Sequence, residues 1–205
     1  MGLKPPPAHP PSLPPLLGEY EAKRLTAADL AALPDALPSG PVCYELHHGS
    51  LITMPPPGDI HGAIELKIAS AILIQGEYAG HGKARCGKVA VVLGRNPDHI
   101  FAADVVFVSN ARLPIRRSTE GYLETIPDLV VEVRSRNDTL AALARKADDY
   151  LRAGVALVWV VDPVGRAVIE YRTGAAARTY AEADTLAVDD LIPGFALSVR
   201  DALQT

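Results

Sequence analysis

Cysteine is scarce in this chain, long apolar runs are missing, and positive charge is not in excess. Only Cys43 and Cys86 occur among 205 residues, without CxxC spacing. That excludes a zinc ribbon or a disulfide framework and fits a reducing compartment, hence the cytoplasm. Both cysteines read as small buried hydrophobes. No window reaches 18 consecutive apolar residues, so no membrane span is expected. The formal net charge of -4 excludes a globally basic nucleic-acid binder and leaves room only for a local basic groove. A strict glycine period, a sustained heptad and a surplus of charge over apolar content are all absent, which removes the collagen-like, coiled-coil and wholly disordered classes. GxSxG, HExxH, a P-loop lysine motif and a GxGxxG after a strand are missing too, which disfavours other hydrolase and nucleotide-binding classes.

What is present is a chain of 48% hydrophobic and 21% charged residues, long enough for one sizeable core. Residues 1–18 form a proline-rich stretch in which locked φ angles favour extended polyproline, so a disordered leader is expected, followed by a single domain over 19–205. Thr26 is an N-cap candidate for a short helix. Tyr44-Glu45-Leu46 and Ser50 to Met54 flank His47-His48-Gly49, which reads as two strands around an exposed turn. Asp59 is expected to cap a helix carrying Ile60, Ile64, Ile68 and Ile72, stopped at Gly80. Three strand-like runs follow, Lys88 to Leu93, Ile100 to Val108 and Asp128 to Arg134. The last two are separated by a long polar loop, Ser109 to Ile126, that holds Arg112, Arg116 and Arg117. Asp138 is expected to cap a further helix ending at Gly154, and Val155 to Val161 is a near-continuous apolar strand, covered on both faces. Strand, helix and apolar strand in succession predict parallel neighbours joined by a crossover. Ala167 to Arg172 and Arg178 to Ala181 complete a hairpin.

Two charges stand inside these apolar strands, Asp104 and Glu132, and a buried unpaired charge costs several kcal/mol unless a partner or a metal compensates it. If the strands are neighbours, both carboxylates reach one point at the sheet end, where hard oxygen ligands suit Mg²⁺ or Mn²⁺ and in-line phosphoester hydrolysis. A cation should complete the site. Arg134 shares a face with Glu132 by the strand period. Lys146 lies beside Leu143 and Tyr150 on the next helix and is preferred, because a lysine so close to the buried face needs a carboxylate. On this reading Lys146→Met leaves folding nearly intact, and Arg134 points outward. A purely structural ion pair of these carboxylates with Lys146 or Arg134 is the competing reading. Glu45 and His61 are candidates for supporting roles, with packing or capping as their alternative.

Tyr44-Glu45-Leu46…Gly49, Met54-Pro55-Pro56-Pro57 with His61, Asp104 to Val108, Pro127 to Val133, and Lys146…Tyr150-Leu151…Ala153-Gly154-Val155…Val158 to Pro163 together resemble the Uma-two family of restriction-endonuclease-like proteins, within the PD-(D/E)XK nuclease superfamily. The resemblance spans about residues 22–203 and rests on order and spacing. It implies an α/β fold with a restriction-endonuclease-like core of helix, three strands, helix and strand, to which N-terminal strands and a C-terminal hairpin are added. It also implies that Asp104, Glu132 and the main-chain carbonyl of Val133 ligate Mg²⁺ or Mn²⁺, and that Lys146 is a lysine moved from the strand to the following helix. Ala103 stands where the family usually has proline, and Arg134 where a small apolar residue is common.

The expected activity is therefore metal-dependent hydrolysis of DNA phosphodiester bonds. Binding to DNA should be weak and salt-dependent, through a handful of arginines and lysines. A homodimer would let two sites cut two strands. The alternative is a binding or assembly module that keeps the fold, with Asp104, Glu132 and Lys146 serving stability.

Overall fold

A computed structural model describes residues 24–205, so the expected proline-rich leader lies outside the described residues. The first described element is α1 (Ala27–Ala31), capped by Thr26 as the sequence suggests, with a capping box that also engages Asp29. The two-residue strands β1 (Ala36–Leu37) and β2 (Gly40–Pro41) pair with each other. Then come β3 (Cys43–His47), β4 (Ser50–Met54) and α2 (Asp59–Ile72), the last prolonged by a π-helical turn at Leu73–Glu77. The long hairpin of β5 (Gly82–Gly94) and β6 (His99–Ser109) leads through the basic loop to β7 (Leu129–Val133), α3 (Leu140–Arg152) and β8 (Leu157–Asp162). A second hairpin of β9 (Ala167–Arg172) and β10 (Arg178–Ala181), the short pair β11 (Thr185–Leu186) and β12 (Leu197–Ser198), and α4 (Val199–Leu203) close the chain.

The main sheet runs β10-β9-β8-β7-β6-β3-β4, with β5 also on β6. β7 and β8 are parallel and joined through α3, as expected; the other pairs in this sheet are antiparallel. Helix α2, with Ile64, Ile68 and Ile72, packs with Val105, Phe107, Val131 and Val133; α3, with Leu143, Ala147 and Tyr150, packs with Phe101, Ala103, Val106, Val130 and Val160. The sheet is thus covered on both faces, which is why its inner strands read as continuous apolar runs.

Two irregularities of β6 create the functional region. β5 pairs along its whole length, so β3 and β7 share the opposite edge, β3 at Ile100 and β7 from Val105 to Phe107. Between them the sheet forks. Opposite Asp104, β5 carries a bulge at Gly87-Lys88, both at positive φ. There β6 changes sides: Phe101 and Ala103 face α3, whereas Val105 and Phe107 face α2. A slip of one residue moves side chains to the other face of a sheet, and a bulge is the usual device.

Several boundaries differ from expectation for local reasons. The bulge breaks the alternation of β5, so the strand starts at Gly82 rather than Lys88. Gly58 is the N-cap of α2, with no side-chain cap, and Asp59 is its first residue. Thr139 caps α3, because the Asp138 carboxylate is taken by the Ser135 N–H and hydroxyl. In the basic loop Arg112 pairs with Asp128 at 2.8 Å and donates to the carbonyls of Ile126 and Gly154, which makes it a structural clamp. Cys86 is exposed and Cys43 half-buried, against the expectation of two buried thiols; Cys86 adjoins the bulge, where alternation fails.

Candidate active site

A forked sheet leaves backbone N–H groups that need acceptors. Carboxylates supply them here. Glu45 Oε1 accepts the Ala102 N–H at 2.9 Å, and Asp104 Oδ2 accepts the Val133 N–H at 2.7 Å. The acidic residues inside apolar strands are therefore built into the architecture of the fork.

On the α3 side, Lys146 bridges two of them, with Nζ 2.6 Å from Glu45 Oε1 and 2.9 Å from Glu132 Oε1. The Tyr150 hydroxyl donates to the same Glu132 oxygen at 2.7 Å, and the ammonium lies over the rings of Phe101 and Tyr150. Glu45 Oε2 contacts His47 Nε2 at 3.0 Å, so the expected exposed turn sends one histidine inward while His48 stacks on His99. Burial opposes the charge on Glu45, yet Lys146, His47 and the Ala102 N–H hold its pKa down to about 2. For Glu132 burial dominates, Asp104 and Glu45 add to it against the pull of Lys146, and the pKa rises to about 7. Glu132 Oε2 has no partner among the described residues.

The α2 side is less complete. His61 Nε2 lies 3.1 Å from Asp104 Oδ2, and Glu65, one turn further along α2, accepts the Gly87 N–H at 2.7 Å. Lys88, at the bulge, brings Nζ to 2.6 Å from Asp104 Oδ1. That contact is off the hydrogen-bonding direction, since Asp104 Oδ1 and both ring nitrogens of His61 are buried without an aligned hydrogen bond. One ligand atom each from His61, Glu65 and Asp104 fall within 4.8 Å of one another, a size that suits a metal ion. Burial and then Asp104 raise the pKa of Glu65, while His61 and Lys88 overcome burial to lower that of Asp104.

A divalent cation fits this donor set. The cluster is His61, Glu65 and Asp104, two carboxylates and one imidazole, with both ring nitrogens of His61 and Asp104 Oδ1 buried without an aligned hydrogen bond. Carboxylates alone suit Mg²⁺ or Mn²⁺; an imidazole tilts the set toward Mn²⁺.

Of the residues expected from sequence, Asp104, Glu132, Lys146, Glu45 and His61 meet at the fork, and Val133 joins them through its N–H. Arg134 does not. Its guanidinium pairs with Asp162 at 3.0 Å and donates to the Asp138 carbonyl. Glu65 and Lys88 escaped the sequence reading. The signal for Glu65 was its i,i+4 spacing from His61, which sets both on one helix face; for Lys88 it was a glycine, Gly87, interrupting a strand pattern.

The Uma2 family model, described as "Putative restriction endonuclease", matches residues 28–200. Among solved structures, the crystal structure of a "putative nuclease belonging to DUF820" from Anabaena variabilis superposes with a TM-score of 0.71 at 21% identity, covering 87% of this chain and 97% of that one. The likeness extends to the fold, including the core of helix, three strands, helix and strand. No curated protein matches the sequence. No helix among the described residues is long and apolar enough to cross a membrane.

Proposed function

The chain belongs to the Uma2 family, and from that premise we propose that it is a divalent-metal-dependent endonuclease hydrolysing DNA phosphodiester bonds, folded as one domain over 19–205. The observation that carries this reading is the cluster of His61, Glu65 and Asp104, one ligand atom from each within 4.8 Å of the others, together with the Glu132 carboxylate that Lys146 and Tyr150 hold through one oxygen. Asp104, Glu132 and the carbonyl of Val133 would hold Mg²⁺ or Mn²⁺, joined by His61 and Glu65 from α2. The ion supplies charge neutralisation for the phosphate and a more acidic water at neutral pH.

The protein groups do the rest. Lys146 and Tyr150 fix Glu132 through one oxygen and leave the other free to act. Glu45 holds Lys146 in turn, so the chain Glu45, Lys146, Glu132 positions the carboxylate. Lys88 offers a second cation beside Asp104, where charge develops on the phosphate in the transition state. The test is a plasmid-nicking assay with Mg²⁺ or Mn²⁺, run beside Glu132→Ala. Wild type should convert supercoiled plasmid to open circles and the variant should fall by about 10³-fold, the upper end of the cost of one preorganised electrostatic group. Metal binding by calorimetry should weaken in parallel. Equal nicking by both would leave the non-catalytic binding module as the reading.

A further inference from the structure

The acidic fork opens on a cleft of about 620 Å³ that the proposed reaction has not used. It lies beyond the carboxyl ends of the parallel strands β7 and β8, between the residues that follow them and the start of α2, where open α/β sheets place their ligands. His61 forms its inner wall and also touches Asp104 at 3.1 Å, so cleft and fork are contiguous. His61 is only 5% exposed, and its ring nitrogens lie 3.1 Å from Asp104 and 3.7 Å from Glu65, so it links the cleft lining to those carboxylates.

The walls suit a nucleic-acid strand. Arg136 is exposed and pairs with no carboxylate among the described residues, unlike Arg134 beside it, which is held by Asp162. The first turn of α2 borders the cleft with no side-chain cap on its N–H groups. A guanidinium without a carboxylate partner among the described residues and an uncapped helix start are groups that suit an anion. Ile60 and Val164, 55% and 82% exposed, stand on opposite walls as apolar surfaces for sugars or bases. Among the lining residues one carboxylate, Asp59, stands against Arg136, since Arg134 is paired with Asp162.

We infer that this cleft carries the DNA strand on one side of the scissile bond, with the neighbouring phosphate held by Arg136 and the first N–H groups of α2. The inference rests on the nuclease reading and names the path of its substrate. Asp59 weakens the grip on that phosphate and so favours release of the cut strand.

The experiment is a fluorescence-anisotropy titration of a short fluorescein-labelled single strand of DNA on the full chain, with Ca²⁺ replacing Mg²⁺ to prevent cutting, over a series of salt concentrations. Arg136→Gln should weaken binding about tenfold and reduce the salt slope by about one, as loss of a single phosphate contact does. Asp59→Asn should tighten binding severalfold. Arg117→Gln, in the separate cleft beside Cys86 and Tyr122, should change neither. Arg136 is exposed and has no ion pair among the described residues, so thermal unfolding of its variant should coincide with wild type. Unchanged affinity and slope in Arg136→Gln, with wild type binding normally, overturns the path alone. So does transfer of the loss to Arg117→Gln. Failure of the wild type to bind DNA at all overturns both the path and the nuclease reading.

Discussion

The two sides of the fork are built from the same materials and finished differently. Toward α3, Lys146, its side chain 13% exposed, shares its charge between Glu45 and Glu132 and lies over two aromatic rings. Toward α2, Lys88 is 22% exposed on a bulge, and the buried atoms of Asp104 and His61 lack aligned partners. One side resembles a buried ion network that fixes geometry; the other gathers an imidazole and two carboxylates at a spacing that suits a metal ion. A buried charge network is weak evidence for stability but is costly to break, whereas orphaned buried polar atoms in a folded protein call for an explanation. The difference locates where the chain holds its carboxylates and where it presents them.

The comparison breaks most sharply at the two lysines. Lys146→Met removes the cation that bridges two buried carboxylates, and breaking such a pair costs about 3–5 kcal/mol. Urea unfolding should show a loss of that order. From the sequence the variant is expected to fold nearly intact; the larger loss predicted here comes from Glu45, which arrives from another strand and which helical spacing does not reveal. Lys88→Met should cost under about 2 kcal/mol, because Asp104 keeps the Val133 N–H and solvent reaches the lysine. It should nonetheless lower nicking by about 10²-fold. A stable, fully active Lys88→Met would move the chemistry to the α3 side.

A second test uses pH without metal. The folded-state pKa of Glu132, about 7, lies above its ordinary 4.5, so its stabilising contribution is present below about 4.5 and is lost as pH rises through 7. Glu45 is opposite: held at about 2, its contribution is complete above 4.5 and lost only as pH falls toward 2. His99, lowered to about 4 chiefly by burial, gains stability as pH rises to 6.5 and masks part of the Glu132 trend. The difference between wild type and Glu132→Gln isolates it. In chelator, Glu132→Gln should gain on wild type between pH 5 and pH 8 by up to about 3 kcal/mol, and saturating Mn²⁺ should stabilise wild type above pH 7. A pH-independent difference would mean that Glu132 keeps its charge without metal.

Particular residues explain what could be read in advance. Asp104 and Glu132 stood out because strands covered on both faces make any charge conspicuous. The order of helix, three strands, helix and strand was legible for the same reason. Glu65 and Lys88 were hidden by tertiary effects. Glu65 occupies an ordinary helical position until β6 changes sides and turns Asp104 toward α2, and Lys88 belongs to a bulge that erases the alternation revealing strands. The fork itself, two strands sharing one edge of β6, leaves no mark in local periodicity.

The smallest effect belongs to Arg134, which sharpens the boundary of the site. It follows Glu132 by two residues, in the position where strand alternation would aim it at the same carboxylate. Instead it leaves the strand end to pair with Asp162 at 3.0 Å and to close the turn at Asp138. The pair is partly exposed on the arginine side, 25% against 7%, so its worth is near the upper end of a surface pair, about 1 kcal/mol. Arg134→Met should therefore lower stability by about that amount, read in the same urea titration, and reduce nicking by less than about tenfold, through a loosened strand end. A loss as large as that of Lys88→Met would show Arg134 turning toward the phosphate when substrate arrives, and the cation of the site would then come from β7 as well as from the bulge.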